Sequence, residues 1–141
     1  MNKHKISCAN TIIENILLGD FYAALDKRWQ RAQGIVAVLT VAEGLNIEPA
    51  AGLAHKVCYA RDTPDYDLSK HFDECYEFIS FWTKKGQVLV HCAAGVSRSA
   101  TIVIYYLMRS HKWSFAKSFQ FVKQKRNIIH PNDGFIRLLK A

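Results

Sequence analysis

The residues best suited to chemistry lie together in Val88-Leu89-Val90-His91-Cys92-Ala93-Ala94-Gly95-Val96-Ser97-Arg98-Ser99. Apolar residues lead into a cysteine, a run of small residues and an arginine. The nearly continuous apolar run after Arg98 predicts a helix over 97–108, so Ala93, Ala94, Gly95, Val96 and Ser97 form the turn entering its N-terminus. Amide N–H groups in such a turn, with the positive end of the helix dipole, make a site for an anion. Gly95 supplies the φ freedom of a tight reversal, and Ala93 and Ala94 leave the backbone approachable. Arg98 can add a bidentate fork to a tetrahedral oxyanion, which a lysine could not reproduce. Cys92, at the focus of these dipoles, is expected as the reactive thiolate. Ser99 is placed to donate a hydrogen bond to that sulfur and ease its departure. The chemistry implied is attack by sulfur on a bound tetrahedral anion.

The elements that must position this loop can be read in order. Ile12-Ile13 and Ile16-Leu17-Leu18 predict two short strands broken at Glu14-Asn15. Asp20 is expected to cap a helix carrying Phe21, Leu25 and Trp29 on one face, ended by Gly34. Ile35 to Leu39 is a continuous apolar strand of the kind buried on both faces. Residues 43–53 read as a loop and Ala54 to Ala60 as another strand. Asp67 is expected to cap a helix whose stripe Leu68, Phe72, Cys75, Ile79 and Trp82 belongs to the core. Gly86-Gln87 turns the chain into strand Val88 to Val90. Ser114 opens a further helix with Phe115, Phe119 and Val122 inward, and a last short helix follows Pro131-Asn132-Asp133-Gly134-Phe135. This order predicts one α/β domain over residues 1–141, with a central, mostly parallel sheet of about five strands flanked by helices.

Composition narrows the classes. Half of the 141 residues are hydrophobic, which excludes a disordered chain. Cys8, Cys58, Cys75 and Cys92 lie scattered without the paired spacing of a zinc site, and no metal is expected. With no apolar signal segment, a reducing interior is expected, the cytoplasm and also the nucleus. No apolar run approaches membrane-span length and residue 2 is Asn, so neither a span nor a myristoyl anchor is expected. The net charge of +7 favours an acidic or phosphorylated partner. Apart from Lys123 to Arg126, the basic residues, from Lys3 and Lys5 onward, are dispersed and no nucleic-acid motif surrounds them, so nucleic acid is not expected as the partner. A monomer is expected.

His91-Cys92-Ala93-Ala94-Gly95-Val96-Ser97-Arg98-Ser99 matches H-C-x-x-G-x-S-R-S and resembles the signature of cysteine-dependent protein phosphatases, most closely the dual-specificity branch. Asn15-Ile16-Leu17-Leu18-Gly19 with Ala23-Ala24, and Pro131-Asn132-Asp133-Gly134-Phe135, are similar to that family's N- and C-terminal motifs, so the resemblance runs from about Ile12 to Leu139. It implies phosphoprotein hydrolysis through a phosphocysteine, without cofactor. The loop lacks the lysine of inositol-lipid phosphatases. The chain is also shorter than tyrosine-specific relatives, implying a shallow pocket open to phosphoserine and phosphothreonine beside phosphotyrosine.

A thiolate attacking a phosphomonoester needs an acid for the departing oxygen. Asp62, Asp65 and Asp67 compete. Asp67 suits the helix cap and Asp65 lies further from the strand end, and the resemblance of Arg61-Asp62-Thr63-Pro64-Asp65-Tyr66-Asp67-Leu68 to the family's acid loop puts the acid at Asp62. His91 is expected to orient the loop and help keep the sulfur ionised rather than to transfer a proton. Arg61 and Arg126 are either solvated charges or ligands for a second phosphate. Asn132 either caps the last helix or braces the loops. Cys58 is either a buried structural thiol or a partner for Cys92 on oxidation. The alternatives in function are the same chemistry on an RNA 5′ end or an inositol lipid, and a phosphate-binding module without turnover. A sulfurtransferase or an arsenate reductase would share the thiolate but leave Asp62 unexplained.

Overall fold

The computed structural model describes residues 8–141, so the readings at Asn2, Lys3 and Lys5 lie outside the described residues. Five strands, β1 (Ala9–Ile13), β2 (Ile16–Gly19), β3 (Ile35–Val41), β4 (Ala54–Cys58) and β5 (Gln87–His91), form one sheet in the order β1-β2-β5-β3-β4. Only β1 and β2 are antiparallel, joined across Glu14 and Asn15, where Asn15 takes φ 68°. The other neighbours run parallel, as expected for strands separated by helices.

Alternation along the strands makes two cores. Ile16, Leu18, Ala37, Leu39, Val41, Val88 and Val90 face one way, toward α3 (Phe72–Thr83), α4 (Arg98–Ser110), α5 (Phe115–Lys125) and α6 (Asp133–Lys140). Leu17, Val38 and Leu89 face the other way, with Ala23 and Ala24 of α1 (Phe21–Leu25), and α2 (Lys27–Gln33) follows α1. Strand β5 is central and buried on both faces, which is why its middle, Val88 to Val90, is apolar without a break.

The register gathers the functional ends of the parallel strands on one edge. His91 pairs with Gly19 on one side and Thr40 on the other, and Val41 pairs with Cys58. Ligands of open α/β sheets bind beyond this carboxyl edge.

Several boundaries differ from the sequence reading. The helix expected from Asp20 is two, because the carboxylate of Asp26 accepts from the Trp29 amide at 3.0 Å and starts α2 afresh. The expected stripe therefore does not form: Leu25 is exposed, and Ala23, Ala24 and Gln30 are buried. Gln30 fills the break, donating to Ala23 and Ala24 carbonyls at 3.0 and 2.9 Å and accepting from the Ala50 amide at 2.8 Å. Strand β4 ends at Cys58 rather than Ala60, and a 3₁₀ turn over Leu68–His71 precedes α3. Helix α4 begins at Arg98, with Ser97 in the cap position.

Candidate active site

The loop after β5 can be built by accounting for its carbonyls. That of Cys92 accepts from Nδ1 of His91 at 3.0 Å, and that of Ala93 from the Phe21 amide at 3.0 Å. Arg126 donates through Nη2 to Ala94 at 3.2 Å and through Nε to Gly95 at 2.9 Å. The Val96 carbonyl accepts from the His130 amide at 2.7 Å, and that of Ser97 from the amide and hydroxyl of Thr101 at 2.9 and 2.7 Å. The described peptides are all trans, and a trans peptide points its N–H opposite to its C=O. Six carbonyls drawn outward therefore turn the amides of Ala93 to Arg98 inward, the arrangement of an anion-binding nest at a helix N-terminus.

Gly95 makes the reversal possible at φ 69°, and a Cβ there would lie 2.6 Å from the Gly19 carbonyl oxygen and 2.7 Å from Nη2 of Arg126. Arg126 is 2% exposed and also donates to Oδ1 of Asn10 at 2.8 Å. It is neither the solvated charge nor the second-phosphate ligand expected from sequence, because its guanidinium is spent bracing the loop. Arg61 is exposed and lies over the Tyr66 ring.

Cys92 is buried, and its Sγ is 3.0 Å from Oγ of Ser99. Arg98 donates Nη1 to the Ala60 carbonyl at 2.9 Å, which ties it to the loop leaving β4. Its Nε is buried with no hydrogen-bond partner among the described residues. A buried unpaired donor carries a large desolvation cost that a bound oxyanion would repay.

His91 is fully buried, and burial, the largest cause, pushes it down to about 4. The neutral ring has one proton, and the Cys92 carbonyl takes it at Nδ1, so Nε2 accepts from the Thr40 hydroxyl at 2.7 Å. Thr40 in turn accepts from Nε2 of His55 at 2.8 Å. The orienting role expected of His91 fits this chain of bonds; a neutral ring supplies no charge to the sulfur. Thr40 and His55 were missed in the sequence, since only the parallel pairing of β3, β4 and β5 aligns them.

The acid loop docks on the start of α6. Asn132 donates from Nδ2 to Oδ1 of Asp62 at 2.9 Å and from its amide to Oγ of Ser97 at 3.0 Å, while its own Oδ1 accepts from the Phe135 amide at 2.9 Å. Asn132 thus caps the helix and braces both loops, the two roles left open by the sequence. Gly134 is required by contact: a Cβ would fall 2.0 Å from the Pro64 carbonyl oxygen. Of the competing carboxylates, Asp67 accepts from the amide and hydroxyl of Ser69, as a cap should. Asp65 is held below the usual carboxylate range, chiefly by the neighbouring Thr63 side chain, so less of it carries a proton to give.

The remaining cysteines are free thiols. Cys58 is buried, as one of its two sequence readings has it, with its Sγ 3.5 Å from Cys75 and 3.1 Å from Glu74. Among the described residues, the one cluster with metal-ligand spacing is Cys58, His71 and Glu74, which shares no residue with the Cys92 loop.

Residues 16–141 match the family model described as dual specificity phosphatase, catalytic domain. The chain is 40% identical over 130 residues to dual specificity protein phosphatase 1 of Arabidopsis thaliana, covering 92% of this chain and 66% of that protein. The fold is similar to the crystal structure of DUSP15, with a TM-score of 0.90 at 29% identity, covering 95% of this chain and 86% of that one. It is also similar to the human tyrosine phosphatase-like serine/threonine/tyrosine-interacting protein, with a TM-score of 0.88 at 28% identity, covering 95% and 94%. The cysteine loop, its bracing and these likenesses agree: the chain belongs to the dual-specificity protein phosphatases of the cysteine-dependent protein tyrosine phosphatase superfamily.

Proposed function

We propose that this chain hydrolyses phosphotyrosine and phosphoserine or phosphothreonine monoesters of proteins through a phosphocysteine. The observation that carries the reading is the loop's bonding: six successive carbonyls each held by a donor, which leaves their amides free for an anion, and a buried Arg98 Nε with no partner among the described residues. In the first step the Cys92 thiolate forms a bond to phosphorus as the ester P–O bond breaks. The inward amides and Arg98 stabilise the equatorial oxygens, and Asp62 gives its proton to the leaving oxygen. In the second step water attacks phosphorus, Asp62 takes its proton, and the S–P bond breaks with Ser99 donating to the departing sulfur. Asp62 is exposed on the loop held by Asn132, where a substrate oxygen can reach it.

The likeness to a protein named as tyrosine phosphatase-like and interacting raises a second reading, binding without turnover. Cys92, Ser99 and Asp62 together favour turnover, since a binder needs neither a nucleophile nor an acid. Steady-state hydrolysis of an aryl phosphate in chelator and reductant, for wild type beside Cys92→Ser, tests the reading. Turnover lost in the variant supports it; equal turnover in both refutes it. A panel of phosphopeptide, 5′-phosphorylated RNA and inositol lipid then separates the substrate classes, with the peptide expected to be fastest.

A further inference from the structure

Outside the cysteine loop, the foot of the acid loop gathers soft and borderline donors. Cys58 ends β4, and His71 and Glu74 lie where the 3₁₀ turn enters α3. Cys58 Sγ, a His71 ring nitrogen and a Glu74 carboxylate oxygen all lie within 4.8 Å of one another. Sγ is 3.1 Å from Oε2 of Glu74, and Nδ1 of His71 is 2.9 Å from the same oxygen. Tetrahedral zinc bonds of ~2.0–2.3 Å set ligand-to-ligand edges of roughly 3.4–3.6 Å, so these pairs need to open by about half an ångström. Glu74 is nearly half exposed, and that side chain can supply the movement.

Hydrogen-bond accounting points the same way. The Tyr66 hydroxyl has one proton, and it goes to the Tyr59 carbonyl at 2.8 Å. Its 2.8 Å contact with Nε2 of His71 therefore requires an N–H on Nε2. That bond fixes the ring so that Nδ1 faces Glu74, as outer partners of metal-bound histidines do. Facing a carboxylate, Nδ1 must either carry a second proton or share a cation with Glu74. Cys75 stays outside the donor set, with its Sγ 3.5 Å from that of Cys58. Lys56 approaches the other carboxylate oxygen, Oε1, at 3.7 Å and leaves Oε2 to the cluster.

We propose that Cys58, His71 and Glu74 form a zinc site at the foot of the acid loop. Thiolate, imidazole and carboxylate are the donor set of tetrahedral zinc, and one retained water completes it on the solvent side. On binding, the Cys58 thiol proton passes to solvent, as does any proton carried on Nδ1 of His71. Bonds from zinc to sulfur, nitrogen and oxygen replace aquo ligands, and nothing is oxidised or reduced. Because the ligands bracket residues 59–70, zinc ties together the two ends of the segment that carries Asp62.

The test uses untagged Cys92→Ser protein in a non-thiol reductant, so that the reactive sulfur takes no part, with Co²⁺ alone as the spectroscopic probe and Zn²⁺ as competitor. The expected result is one equivalent of Co²⁺ giving a thiolate-to-metal charge-transfer band and tetrahedral ligand-field bands, both removed by Zn²⁺. Adding Cys58→Ser should abolish the charge-transfer band. Adding the exposed change Glu74→Gln should weaken the apparent affinity at least tenfold with an unchanged circular dichroism spectrum, and Zn²⁺ should raise Tm only while Cys58 is present. Absence of the charge-transfer band, its persistence without Cys58, or equal affinity in Glu74→Gln overturns the proposal.

Discussion

Cys92 and Cys58 occupy similar places, since each follows or ends a parallel strand at the carboxyl edge of the same sheet and each is 2% exposed. Their surroundings are opposite. Cys92 faces the Ser99 hydroxyl and leads a loop of inward amides and Arg98, all donors. Cys58 faces the Glu74 carboxylate and a second thiol, which reward a proton or a cation on sulfur. Position and burial therefore do not decide what a cysteine does here. The polarity of the groups aimed at its sulfur does.

The comparison can be broken by removing the features that separate the two thiols. Cys92→Ser should lower kcat by about 10⁴-fold or more with phosphate or vanadate still bound, whereas Cys58→Ser should leave kcat within a few fold. Arg98→Lys keeps the charge but loses the fork, and should lower kcat by about 10²–10³-fold in the same assay. Asp62→Asn should lower kcat by about 10²-fold on an alkyl phosphoester and much less on an aryl phosphate with a good leaving group. A loss equal on both substrates would move the acid elsewhere.

Smaller effects sharpen the account of the bracing. Gly95→Ala should destabilise the fold by about 1–3 kcal/mol in denaturant unfolding, because φ is positive and the new methyl meets the Gly19 carbonyl and Arg126. His91 carries a pH dependence. Its value is about 4 in the fold against an ordinary 6.5, so below 6.5 the unfolded chain takes up a proton that the native ring refuses. Stability is then full above about pH 6.5 and declines as pH falls toward 4, by roughly 3 kcal/mol in total. Unfolding midpoints measured across that range should show the decline, and His91→Gln should flatten it.

Legibility followed sequence distance. The cysteine loop was readable because its nucleophile, glycine, arginine and hydroxyls fall within nine consecutive residues, and a strand before and a helix after need no long-range information. The mostly parallel sheet was readable because buried strands such as Ile35–Val41 are apolar but for Thr40. Arg126 was not, since thirty-one residues separate it from the Gly95 carbonyl it holds and nothing local distinguishes it from a solvated base. Gly134 reads as part of the stretch ahead of the last helix, whereas α6 already starts at Asp133, and its packing against Pro64 exists only once α6 meets the acid loop. The helix break at Asp26 was masked by an apolar spacing that suited one longer helix. The cluster of Cys58, His71 and Glu74 has no paired-cysteine spacing, because the 3₁₀ turn, not a short motif, brings it together.

The central claim, that Cys92 is the sulfur which takes the phosphoryl group, is tested most directly by quenching the enzyme in acid during turnover of an aryl phosphate and mapping phosphate by peptide mass spectrometry. The account predicts a phosphorylated peptide containing Cys92, formed with a burst of product no larger than the enzyme concentration and absent from Cys92→Ser. Turnover with no phosphopeptide, or with the phosphoryl group on another residue, would contradict it.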